Sequence, residues 1–133
     1  MANNIAAYYM DELQEWNRLI IFFGQEMNEL TSKLSEVIQL NTIPDIADKV
    51  ELEQAKINAV FEKFIRLQKQ IAEQVKSFRT DGTLKSNEAI GNETERWQHN
   101  FRKRMQEMEK EYVDVKYNCY NFLSEVLNKQ SKK

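Results

Sequence analysis

Nine apolar or aromatic side chains, Tyr9, Leu13, Trp16, Ile20, Phe23, Met27, Leu30, Leu34 and Val37, recur at alternating steps of four and three without a slip. An α-helix turns once in about 3.6 residues, so this spacing lays all nine along one stripe. A stripe that long and that apolar must be covered by other helices. Two further stretches repeat the pattern. Val50, Ile57, Phe64, Ile71 and Phe78 stand at sevens, with Val60, Phe61, Leu67 and Val75 between them. Phe101, Met105, Met108, Tyr112, Val115, Cys119, Phe122 and Val126 again step by four and three. Period-two alternation is absent from all three, which argues against strands.

Breaks between the stretches are few. In 133 residues there are three glycines and one proline, too few for a fold rich in tight turns. The pattern predicts one domain over 1–133, with helices over about 4–40, 44–80 and 88–129 and a loop over 81–91. Asn3 and Asn4 are candidate caps of the first helix. Pro44 fits the first turn of the second, where a missing N–H costs nothing, with Thr42 as its cap. Gly82 is expected to end the second helix in a left-handed conformation. Asn92 and Glu95 form a capping box for the third, with Ser86 as an earlier alternative start. The polar tail, 128–133, is expected to fray.

With the third helix counted from its capping box at Asn92, lengths of about 35 to 38 residues imply helices of about 52 to 57 Å. A short first connection and a longer second one lead to an all-α, elongated, antiparallel up-down-up three-helix bundle, coiled-coil-like, with left-handed packing near 20°. The competing architecture is a dimer whose chains together complete a four- or six-helix bundle. The run Glu-Leu-Gln-Glu-Trp-Asn-Arg-Leu at 12–19 resembles the first helix of spectrin-type repeats. That resemblance implies the same three-helix, up-down-up architecture and no particular activity. Trp97 departs from the repeat pattern by standing near the start of the third helix.

The residues with chemistry are sparse. His99 is the one histidine, which removes sites built on two or more, including di-iron and His-Glu-x-x-His zinc sites. Glu95 and His99 share a helix face, read here as solvated. Cys119 falls on the third stripe and is read as a small buried hydrophobe, not a nucleophile. The three glycines make no phosphate loop. The expectation is therefore no enzyme, no catalytic residue, no cofactor and no metal. Net charge is −2, from 19 basic and 21 acidic residues, so no overall field favours nucleic acid or an anionic membrane. The basic group Arg102, Lys103 and Arg104 is followed by Glu107, Glu109 and Glu111 and reads as intrahelical neutralisation. The run Leu19 to Phe23 is far short of a bilayer span, and no signal peptide is expected; with a single cysteine the chain suits the cytoplasm.

One feature exceeds a plain bundle. Leu19, Ile21 and Phe22 make the first helix apolar almost all round for two turns, and each forfeits about 1.5 to 3 kcal/mol if left in water. Tyr117 and Tyr120 form a similar surplus beside the third stripe. The expectation is a non-catalytic interaction or scaffold protein using Leu19, Ile21, Phe22, Tyr117 and Tyr120 as an interface, with a protein partner or with itself as a homodimer. The alternative is a bundle that holds a small apolar or metal ligand in its core, lined by Met27, Met105 and Met108.

Overall fold

A computed structural model describes residues 4–40 and 44–131. It consists of three long helices, α1 (Ile5–Leu40), α2 (Ile46–Lys76) and α3 (Asn92–Ser131), packed against one another as a three-helix bundle. Between α2 and α3 lie two short strands, β1 (Arg79–Thr80) and β2 (Thr83–Leu84), and one 3-10 turn over Asn87–Ala89.

The side-chain contacts fix the directions. Along α1 and α2, Asn17 meets Gln68 while a side chain at Gly24 would meet Phe61, so residue numbers rise on one helix as they fall on the other. Lys63 with Glu111, Gln70 with Arg104 and Gln74 with Gln98 show the same reversal between α2 and α3. Between α1 and α3 the numbers rise together: Glu12 with Arg102, Glu26 with Lys116 and Lys33 with Tyr120. The order is up, down, up, and α1 and α3 run parallel.

All three stripes close on one core. Leu13, Trp16, Ile20, Phe23, Met27, Leu30 and Leu34 of α1 are buried with Val50, Ile57, Val60, Phe64, Leu67 and Ile71 of α2 and Phe101, Met105, Met108, Tyr112, Cys119 and Val126 of α3. Tyr9, Val37, Phe61, Val75, Val115 and Phe122 are partly buried at its margins. Aromatic rings occupy the middle: Phe23 stacks on Tyr112 at 4.1 Å between centroids, and Phe101 lies 5.2 Å from Trp16 and 4.6 Å from Trp97.

The ends of the helices correct several expectations. Asn4 caps α1 as expected, its Oδ1 accepting from Ala7 N–H at 2.8 Å; Asn3 lies outside the described residues. α2 starts at Ile46 instead of 44. Pro44 sits in the preceding turn, and Asp45 takes φ 66° there; Thr42 lies outside the described residues. α2 also stops four residues early, at Lys76, and the predicted helical end and loop become a β-hairpin pairing Arg79 with Leu84 and Thr80 with Thr83. The reason lies in Asp81 and Gly82. Both have positive φ, 51° and 81°, as a type I′ hairpin turn requires, so Gly82 serves a strand turn and not a helix cap. Phe78, although off the helix, still reaches the core and lies 5.7 Å from Tyr9. The loop then ties back to the start of α1: Asn87 Oδ1 accepts from Ile5 N–H at 2.8 Å, and Asn4 Nδ2 donates to the Lys85 carbonyl. α3 begins at Asn92, not 88, with Gly91 O accepting from Glu95 N–H, and it continues through Ser131 where fraying was expected; 132–133 lie outside the described residues.

Gly24 lies in the interior of α1, where glycine is the costliest residue after proline. A methyl group there would meet Phe61 Cε1 at 3.9 Å, an ordinary contact. Gly24→Ala is expected to raise stability by about 0.5 to 1 kcal/mol, read as a higher denaturant midpoint at unchanged m. A lower midpoint would show that α1 and α2 approach more closely than this.

Candidate interaction surface

The parallel pair α1 and α3 is laced by charged side chains. Near the loop end, the Glu12 carboxylate accepts from Arg102 Nε at 2.5 Å and Nη2 at 3.0 Å and from Gln98 Nε2 at 2.9 Å. Gln98 is fully buried and also receives a bond from Gln74 at 3.4 Å, so this belt touches all three helices. Glu12 in turn raises the Arg102 pKa above its ordinary value, chiefly through that hydrogen bond. About four turns further on, Glu26 accepts from Lys116 Nζ at 2.6 Å and from the Tyr112 hydroxyl. The bond to Lys116, followed by that to Tyr112, holds the Glu26 carboxyl below the usual carboxylate range. Burial, then Glu26, pushes the Tyr112 hydroxyl up to about 12.

This lacing assigns the edges. On α1 the side chains at 12, 26 and 33 reach α3; on α3 those at 102 and 116 face α1, and Tyr120 lies beside them, where Lys33 reaches over its ring. Immediately outside them run columns spaced by seven. On α1 the column is Tyr8, Glu15, Phe22, Glu29 and Glu36. On α3 there are two, Gln106, Val113, Tyr120 and Leu127, then Lys103, Lys110, Tyr117 and Ser124. Every one of these residues is exposed. Leu19, half-buried, lines the groove between the two helices with Trp16, Phe23, Met105, Gln106 and Glu109.

The five residues expected to form an interface are therefore divided. Leu19, Phe22, Tyr120 and Tyr117 share the α1/α3 face, with Phe22 54% and Tyr117 66% exposed and Tyr120 lying under Lys33 at 5.4 Å. Ile21, 47% exposed, stands instead between Asn17 and Gly24 on the edge that meets α2. It does not join the others, because successive residues on a helix point about 100° apart. Val113, half-exposed and seven residues before Tyr120, belongs to the face and escaped the sequence reading. Its spacing from Tyr120 was visible; which flank of α3 meets α1 was not.

The remaining candidates resolve simply. Cys119 is fully buried, and burial followed by the nearby Glu53 carboxylate pushes its thiol up to about 11, so it is a protonated thiol at neutral pH. Glu53 and Gln74 break the apolar run of α2, and neither was singled out from sequence. Gln74 joins the belt, while Glu53 Oε2 is buried without a hydrogen bond, 3.5 Å from Lys56 Nζ. In the basic group on α3, Arg102 is neutralised across helices by Glu12 on α1, while Arg104 donates to the neutral Gln70 amide on α2 and Lys103 is exposed. Glu95 and His99 are exposed, with His99 Nδ1 2.8 Å from Arg102 Nη1. Met27, Met105 and Met108 are all buried; Met105 borders the α1/α3 groove and Met108 a groove of about 270 Å³ between α2 and α3. Among the described residues no helix is long and apolar enough to cross a membrane, and no group of three or more His, Cys, Asp or Glu side chains is placed to hold a metal.

Comparison with protein-family models, curated proteins and solved structures finds no match to this chain.

The Glu26–Tyr112–Lys116 cluster gives a signed pH dependence. Tyr112 and Lys116 both have raised pKa values, so each contribution is complete below the group's ordinary value and is lost as pH rises through the raised one, which for Tyr112 is about 12. Glu26, with a lowered value, contributes above the ordinary carboxylate range and loses its contribution in acid. Chemical denaturation at stepped pH should show stability falling from pH 10 upward, less steeply in Tyr112→Phe. An identical alkaline slope in that variant would exclude Tyr112 as a source.

Proposed function

We propose that this chain is a non-catalytic interaction module of the cytoplasm that receives a protein partner on the α1/α3 face. One observation carries the reading: the core is complete without Phe22, Val113 and Tyr120, yet all three stand on the same face with their apolar surface in water. Scattered exposed apolar residues are ordinary, whereas a row aligned along a groove has the pattern of a helix-docking surface. The charged belt beneath supports the same reading. It holds α1 and α3 in register, so the groove is preformed and a partner need not order it. An unpaired cysteine suits a reducing compartment.

The double variant Phe22→Glu/Tyr120→Glu tests the proposal. Both side chains are solvent-facing, so its denaturant midpoint should stay within about 0.5 kcal/mol of the wild type. Retention of partners on the immobilised chain, from cytosol of the source cell, should be lost. Loss of folding would place these residues in the core, and undiminished retention would move the working surface elsewhere.

A further inference from the structure

Outside the lacing, the charges of the α1/α3 face are sorted by helix apart from Lys33 on α1 and Glu109 on α3, and Glu15 also pairs with Arg18 along α1 at 3.3 Å. The outer column of α1 carries Glu15, Glu29 and Glu36, and the outer column of α3 carries Lys103 and Lys110, all exposed. A surface with acid along one edge and base along the other is complementary to itself after a half-turn about an axis parallel to the helices. That operation lays α1 of one copy on α3 of the other and keeps every residue at its own height. The heights are known from the lacing: Glu26 pairs with Lys116, 90 residues on, and Lys33 sits on Tyr120, 87 residues on. Glu15 and Lys103 differ by 88, as do Phe22 and Lys110, and Glu29 and Tyr117.

Resting on the reading of this face as the working surface, we propose that its occupant is a second copy of the chain, giving a parallel, two-fold, six-helix dimer. In it Glu15 meets Lys103 of the other copy. Phe22 is covered by the aliphatic stem of Lys110 and by Val113, and Glu29 accepts from the Tyr117 hydroxyl. Each of these contacts occurs twice, as an isologous interface requires. The antiparallel alternative stacks α1 on α1 and sets the glutamate column against itself, which is repulsive. The extent also suits a dimer. About 30 residues of each helix at about 1.5 Å rise give a face about 45 Å long, and two helices make it about 20 Å wide. About 900 Å² per copy matches the roughly 800 Å² typical of stable complexes.

The test is molar mass by light scattering over a concentration series. The wild type should approach twice 15.8 kDa, and Glu15→Lys/Glu29→Lys and Lys103→Glu/Lys110→Glu should each fall to 15.8 kDa with unchanged helical circular dichroism. Mixing the two variants should restore the doubled mass, because each then offers the other opposite charge on both edges. A wild type that stays at 15.8 kDa at every concentration overturns the dimer, as does a doubled mass that neither reversed pair reduces. If the wild type is monomeric and Phe22→Glu/Tyr120→Glu still abolishes partner retention, the face binds a helix of another protein and only the second copy is refuted. If retention is also unaffected, the reading of the face falls with it.

Discussion

Each helix of this protein carries an apolar stripe that neither of its neighbours can cover alone, and the whole structure follows from that. Burying a large apolar side chain contributes about 1.5 to 3 kcal/mol, and the three stripes hold more than a score of them. No isolated helix of this composition would persist in water on propensity alone. The stripes close only when three helices surround one line, so the bundle forms as a unit. Up-down-up order follows from a first connection too short to cross the length of the rod.

Apolar stripes are tolerant of sliding, and the polar side chains among them restrict it. Gln74 and Gln98 are buried where an aliphatic residue would pack as well, and they are satisfied only in the observed register, through Glu12, Thr94 and the Tyr9 carbonyl. A shift by one turn would strand a buried amide at a cost of about 1 to 3 kcal/mol. The Glu26 cluster repeats the restriction about four helical turns along α1. The loop end is closed by different means, with Phe78 plugging the core and Asn87 capping the start of α1. The hairpin is more than a linker, because it delivers both.

The consequence for function is a rigid face between two parallel helices. Its floor is fixed by the lacing of α1 to α3, and its margins hold aromatic and charged side chains that the fold does not need. Helix pairs that are preformed and partly apolar are suited to receiving further helices. The outer columns of its two edges differ in sign, with Glu15, Glu29 and Glu36 on α1 and Lys103 and Lys110 on α3.

What the sequence by itself determined was the helix content, the seam residues and the three-helix bundle. Periodicity is a local property, and every four-three step in 9–37 and 101–126 survives as a buried or half-buried position. Buried cysteine on the third stripe was legible for the same reason. The ends of α2 were not: Asp81-Gly82 is compatible with a helix stop or a hairpin turn, and the choice depends on whether the strands on either side can pair. Nor could the sequence say that Ile21 and Phe22, adjacent in the chain, belong to different faces of the molecule. A wheel shows which residues lie outside the seam, but only the placement of α2 on one side of α1 and α3 on the other decides which surface each of them joins.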